Sequence, residues 1–239
     1  MTLIVVPCYN EAGRLDPDAF AQVQTPCLLV DDGSTDRTRE VIDRICEDGR
    51  HRQLILTTNV GKAEAVRQGL LTAIHDGATR VGYWDADLAT PFEEIPRFNA
   101  ILDRDERIDL VLGARINLLG REIHRSSSRH YVGRIFATAV SAVLGLPVYD
   151  TQCGAKLFQV SEDLRTILAE PFISRWIFDV ELLARWITLP VGDVSRADQI
   201  YELPLRTWQD VSGSKLHPVD LLKAPFELLR IHARYFGSP

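Results

Sequence analysis

Two groups of aspartates have the types and spacing for work on a polyanionic ligand. Asp85 and Asp87 flank Ala86 at the end of an otherwise apolar run, Arg80–Trp84. In an extended chain alternate side chains share a side, so both carboxylates could approach one cation. Hard oxygen ligands suit Mg2+ or Mn2+, which would bridge to the phosphates of a substrate. Earlier, Asp31-Asp32-Gly33-Ser34-Thr35-Asp36 follows a second apolar run, Cys27–Val30. Carboxylates there can accept hydrogen bonds from a base N–H or a ribose hydroxyl. The alternative is a plain turn with a helix cap, a role that Asp, Ser and Thr all fill. The run lacks the spacing and terminal Glu of a calcium loop.

Further along, Asp179 and Glu181 stand two apart at a predicted helix start, so they point in different directions. Asp179 is either a candidate base or acceptor-positioning group, or a residue favourably placed against the helix dipole. Arg121, His124, Arg125, Arg129, His130 and Arg134 are opposed only by Glu122. Arginine forks suit phosphate oxygens, and an anionic bilayer surface would also attract them. The apolar stretch Ile135–Val148 that follows is too short and interrupted to span a bilayer, but it could lie at the interface or cover a lipid tail.

Elements must hold these groups. Leu3–Val6, Cys27–Val30, Leu54–Leu56, Arg80–Trp84 and Leu110–Leu112 read as buried strands, with helical spacing over Asp36–Cys46, Lys62–Ile74 and Phe92–Leu102. This alternation predicts an α/β fold, a mostly parallel central sheet with helices on both faces and ligands at the carboxyl ends of its strands. The later half is less regular. Helices are expected over Ser126–Leu144, Phe178–Trp186 and His217–Tyr235, a strand over Tyr201–Leu205, and an internal seam at Gly120–Arg125. Trp176, Phe178, Trp186 and Trp208 could stack on a sugar or prenyl chain, but buried aromatics usually belong to the core, and none is assigned to ligand binding.

The whole chain has 239 residues, 46% of them apolar, with 33 acidic and 27 basic side chains and a net charge of −6. That length suits a single domain with a substantial core. The acidic balance argues against bulk affinity for nucleic acid or anionic lipid, though a local basic patch could override it, and no apolar run reaches the roughly 18 residues of a membrane span. Cys8, Cys27, Cys46 and Cys153 are too far apart for a CxxC motif, and Met1–Val6 reads as a strand, not an export signal. A cytoplasmic protein with reduced thiols is expected.

Taken together, Val6-Pro7-Cys8-Tyr9-Asn10-Glu11, Asp31-Asp32-Gly33-Ser34-Thr35-Asp36, Asn59-Val60-Gly61-Lys62 and Asp85-Ala86-Asp87 resemble the inverting family 2 glycosyltransferases of the GT-A fold. Asp150-Thr151-Gln152-Cys153-Gly154-Ala155-Lys156-Leu157-Phe158 is similar to a segment of the dolichyl-phosphate β-glucosyltransferases and their polyprenyl-phosphate relatives. So are Arg175-Trp176-Ile177-Phe178-Asp179-Val180-Glu181-Leu182-Leu183 and Gly213-Ser214-Lys215-Leu216.

The resemblance implies one glycosyltransferase domain, 1–239, with a nucleotide-sugar half to about residue 115 and an acceptor half from about 116. It implies that Pro7, Tyr9 and Glu11 line the nucleotide pocket and that Asp32 contacts base or ribose. Lys62, Ala86, Arg115 and Lys215 complete the nucleotide-sugar set, although Gly61 and Lys62 could simply start a helix packed on the sheet. Asp85 and Asp87 flank the diphosphate and hold a divalent metal, Mg2+ or Mn2+, with Asp87 the direct ligand. Asp87 and Asp179 are the catalytic candidates, and Arg121, Arg125 and Arg129 the candidates for an acceptor phosphate.

Inversion needs one displacement. A hydroxyl acceptor requires a base to take its proton, whereas a phosphomonoester, with a second pKa of about 6, is largely ionised at neutral pH. The expected reaction is transfer of a hexose, glucose from UDP-glucose, to a polyprenyl or dolichyl phosphate at the cytoplasmic membrane face, with the protein peripheral there. The alternatives are a soluble enzyme acting on a sugar or small-molecule hydroxyl with Asp179 as base, or GDP-mannose as donor. The intact Asp85 and Asp87 disfavour a non-catalytic nucleotide-sugar-binding module.

Overall fold

The computed structural model describes residues 1–124, 127–190, 195–211 and 218–237, and of 127–132 and 218–222 the backbone alone. In chain order it runs β1 (Thr2–Cys8), α1 (Pro17–Gln22), β2 (Cys27–Asp32), α2 (Thr38–Ile45), β3 (Arg52–Leu56), α3 (Lys62–His75), β4 (Arg80–Trp84), α4 (Ile95–Arg104) and β5 (Leu110–Ala114). There follow β6 (Glu122–His124), α5 (Ser127–Leu144), β7 (Ala155–Gln159), α6 (Glu162–Ala169), α7 (Phe178–Thr188), β8 (Ile200–Pro204), β9 (Thr207–Gln209) and α8 (Pro218–Tyr235).

Seven strands form one sheet in the order β3-β2-β1-β4-β7-β5-β8. The expected mostly parallel sheet is there, with β7 as its one reversed strand, antiparallel to both β4 and β5. Alternation along β1 explains the two layers. Leu3 and Val5 pack with α3, α7 and α8 on one face, while Ile4 and Val6 pack with α1, α2 and α4 on the other. Helix α3 sits close on the sheet because Gly69 leaves room for Val5 and Val30; a Cβ at Gly69 would lie 2.4 Å from Val5 Cγ1.

Three features depart from the sequence reading. Strand β7 was not anticipated, because Lys156 interrupts its apolar run; the lysine is fully buried. Helices α1 and α6 are short and held by side-chain caps, Asp16 accepting from Asp18 and Ala19, and Ser161 accepting from Leu164. The expected seam at Gly120–Arg125 contains β6, which pairs in parallel with β9 as a separate two-stranded sheet. Among the described residues, no helix is long and apolar enough to cross a membrane.

Candidate active site

Strands β1, β2, β4 and β5 all point the same way, so their carboxyl ends share one edge of the sheet. Reversed, β7 is entered from that same edge. The loops after β1, β2, β4 and β5 therefore meet the segment Asp150–Gly154 that leads into β7.

The first two loops are laced together by the aspartate-rich run. Asn10, at φ +51°, accepts through Oδ1 from the backbone N–H of Thr35 (2.8 Å) and Asp36 (3.3 Å). Ser34 Oγ accepts from the N–H of Asn10, and Thr38 Oγ1 from that of Glu11. Asp31 caps the turn by accepting from the N–H of Ser34 at 3.0 Å. Asp32 is 2% exposed. Its Oδ1 accepts from the N–H of Val60 at 2.7 Å, and its Oδ2 from the N–H of Gly61 at 2.9 Å and from Asn59 Nδ2 at 3.1 Å. A carboxylate has about four acceptor positions. Asp32 thus spends three on the loop before Lys62. Burial pushes its pKa up, against the pull of the Val60 and Gly61 N–H groups. Gly61 is favoured by its φ of +96°, which L side chains rarely adopt, and the Arg175 side chain packs against it.

The third loop carries Asp85 and Asp87. They do not lie on an extended chain as their alternation suggested. Asp85 opens a turn in which its carbonyl accepts from the N–H of Leu88, itself at φ +50°. The carboxylates consequently have different partners. Asp85 Oδ1 lies 2.6 Å from Lys62 Nζ. Asp87 Oδ2 lies 4.0 Å from Arg14, whose guanidinium also grips Glu11 at 2.6 Å. Burial, then the neighbouring Asp85, raises the pKa of Asp87. Burial works against the charge of Lys62, yet Asp85, Asp179 and Asp87 outweigh it and raise its pKa. Glu11, Asp32, Lys62, Asp85 and Asp87 are thereby brought into one cluster, with Pro7 and Tyr9 half-buried at the end of β1 and Ala86 buried beside the pair.

Two like charges in a partly buried turn suit a divalent cation. Among the described residues no group of three or more His, Cys, Asp or Glu could enclose an ion unaided. Mg2+ asks for no such cage, since one or two carboxylates plus substrate phosphates and water suffice.

The fourth contribution is the segment entering β7. A Cβ on Gly154 would stand 2.0 Å from Asp85 Oδ2, so the residue is glycine for want of space. Gly154→Ala is expected to displace the Asp85 carboxylate and lower catalytic turnover about 100-fold, as an ångström-scale misplacement does. Steady-state kinetics on a variant with unchanged circular dichroism would test this; turnover within about threefold of wild type would refute it.

Behind Asp85, Asp179 at the start of α7 is 5% exposed and its Oδ1 accepts from Lys156 Nζ at 2.6 Å and from the Tyr83 hydroxyl. Lys156 Nζ also donates to the carbonyls of Thr151 and Cys153. Glu181 diverges from Asp179 as expected, pairing with Arg185 at 2.7 Å. Arg115 forks onto Asp150, with Nε to Oδ2 at 2.6 Å and Nη2 to Oδ1 at 2.7 Å, an attraction that raises its pKa in spite of burial. Asp150 is positioned in turn by Glu202, which accepts from the backbone N–H of Tyr149 and Asp150.

Arg14 and Glu202 were not named from sequence, and Asp150 and Lys156 only as members of the segment quoted for its resemblance. Lys156 carried a further signal, a lysine inside an apolar stretch. Arg121 lies on the turn before β6, and no contact ties it to the cluster above. Arg125 and Lys215 fall outside the described residues, as does the side chain of Arg129. Arg134 is committed elsewhere: it donates to the carbonyl of Tyr149 at 3.0 Å and stacks 3.7 Å over its ring. Phe178, Trp186 and Trp208 are buried as expected, and Trp176 packs partly buried against the same core.

Residues 3–164 match the sequence profile described as glycosyl transferase family 2. A dolichyl-phosphate beta-glucosyltransferase of Dictyostelium discoideum is 31% identical over 97% of this chain and 74% of its own length. The enzyme of that name from Homo sapiens is 30% identical over 97% and 75%. Among solved structures, glucosyl-3-phosphoglycerate synthase from Mycobacterium tuberculosis in complex with Mn2+ and uridine-diphosphate-glucose superposes with a TM-score of 0.69. That match has 18% identity and covers 100% of this chain and 80% of the other.

Proposed function

Because the chain belongs to glycosyl transferase family 2, we propose that it transfers glucose, with inversion, from UDP-glucose to a polyprenyl phosphate of the dolichyl type. The state of Asp179 carries the choice of acceptor. Its Oδ1 already accepts from a fully buried lysine and a tyrosine hydroxyl, so the carboxylate is committed within the protein. A hydroxyl acceptor would need a free base to take its proton; a phosphomonoester arrives ionised. The similarity to dolichyl-phosphate beta-glucosyltransferases along nearly the whole chain points the same way.

In this reading the donor lies along the common strand edge. Pro7, Tyr9, Glu11 and Asp32 face its nucleoside, and Lys62, Arg115 and Lys215 its diphosphate. Mg2+ or Mn2+ would be held by Asp87 and Asp85, and when bound it neutralises charge on the departing diphosphate. Lys62 already holds Asp85 in place and puts a positive charge beside the same leaving group. Asp179 pairs with Lys156, whose Nζ donates to the carbonyls of Thr151 and Cys153, so in this reading it is a positioning residue for the segment entering β7.

We propose that Arg121, Arg125 and Arg129 meet the acceptor phosphate, with the protein peripheral at a membrane surface. Leu118, Leu119 and Ile135, which flank this stretch in sequence, support the reading, being 47%, 105% and 73% exposed. Incubation with radiolabelled UDP-glucose and dolichyl phosphate, followed by lipid extraction, should yield labelled glucosyl lipid. EDTA should lower the yield about 100-fold, and added Mn2+ or Mg2+ should restore it. Label that stays in the aqueous phase on a small hydroxyl acceptor would select the alternative reaction.

A further inference from the structure

The segment entering β7 contains two polar side-chain atoms that the described residues leave without a hydrogen bond. Thr151 is 1% exposed and its Oγ1 is buried and unpaired, as is the Nε2 of Gln152. Leaving such groups unmet is destabilising, so their persistence asks for a reason.

The backbone around them cannot move to relieve the cost. Asp150 takes the N–H of Gln152 at 3.2 Å, and Lys156 Nζ takes the carbonyls of Thr151 at 3.0 Å and Cys153 at 2.8 Å. Gly154 abuts the Asp85 carboxylate, and its carbonyl accepts from the Asp85 N–H at 2.9 Å. Thr151 and Gln152 are therefore pinned between the Asp150–Arg115 pair on one side and Asp85 on the other. A donor whose diphosphate lies at Asp85 and Asp87 carries its sugar next to this segment. Their chemistry is also selective. A neutral amide N–H and a neutral hydroxyl match sugar hydroxyls; a phosphate would call for a cation, and a base for an aromatic face or a carboxylate.

We infer that Thr151 and Gln152 hydrogen-bond the hydroxyls of the transferred hexose and determine which sugar is accepted. This rests on the nucleotide-sugar reading above. A site built to meet a hydroxyl rejects the analogue that misplaces it, because the protein group is then left unpaired.

The test compares binding of UDP, UDP-glucose and its 4-epimer UDP-galactose by titration calorimetry, for wild type, Thr151→Val and Gln152→Ala. Wild type should prefer UDP-glucose to UDP-galactose. Each variant should shrink that preference by about tenfold, the worth of one hydrogen bond, with UDP affinity held within about twofold. Thr151→Val keeps the side chain's shape and removes the orphaned hydroxyl, so the melting temperature of the ligand-free protein should hold or rise. Equal weakening of UDP and UDP-glucose, an unchanged preference, or a melting temperature lowered by Thr151→Val would each overturn the inference. Wild type that bound no UDP would overturn the donor reading, and this inference with it.

Discussion

Asp87→Ala is expected to lower glucosyl transfer about 1,000-fold, or roughly 4 kcal/mol of transition-state stabilisation. Among the described residues Asp87 is the member of the pair without a lysine: Lys62 is committed to Asp85, and the cation that pairs with Asp87 is Arg14 at 4.0 Å. Its charge is therefore the one more available to a metal, and through the metal to the diphosphate. Folding gains little from it. Burial and Asp85 raise its pKa above that of an unfolded chain, so ionisation at neutral pH opposes folding and its removal relieves the conflict. Asp87→Asn should match the activity loss while leaving the melting temperature of the ligand-free protein unchanged or higher. Measured kcat and thermal melts decide it. An Asp87→Asn variant with more than a tenth of wild-type turnover would refute the assignment of the metal and diphosphate to this residue.

Lys156→Met should be the most destabilising single change in the site. Its ammonium is wholly buried and satisfied by Asp179 and two carbonyls. Removing it leaves the Asp179 carboxylate buried without its counter-charge, which costs about 3–5 kcal/mol. For a chain of this size that lowers the melting temperature by roughly 6–20 °C. The double variant Lys156→Met with Asp179→Asn should recover much of the loss, since the stranded charge is gone and Asn can still accept from Tyr83. Equal melting temperatures for wild type and Lys156→Met would show that the pair contributes nothing to stability. A double variant no more stable than the single would locate the cost in packing.

Much of this arrangement was legible from sequence because it rests on local rules. Apolar runs punctuated by Pro, Gly and Asp located β1, β2, β4 and β5, with Asp32 at the end of β2 and Asp85 and Asp87 in the turn after β4. What escaped depended on pairings between distant residues. Lys156 looked out of place in a strand because its partner, Asp179, lies 23 positions away. The hold of Glu202 on Asp150 spans 52 positions. Asp32 was legible as a strand-end carboxylate, whereas its engagement with Asn59–Gly61 followed only from how β2 sits beside β3. The Asp85–Leu88 turn escaped for a different reason, since Leu88 adopts a positive φ that its residue type does not advertise.

The reversed direction of β7 also bears on how the polypeptide reaches this state during synthesis. Strands β1 to β4 can pair as soon as they leave the ribosome, because β3, β2, β1 and β4 are neighbours in the sheet. The next neighbour of β4 is β7, about seventy residues later in translation, and β5 waits on the same strand. In the interval, β4 offers an open edge of apolar residues, the kind on which nascent chains stick to one another. The order in which the sheet closes is therefore set by a strand that carries a buried lysine, and a chain stalled before residue 155 would be a substrate for chaperones.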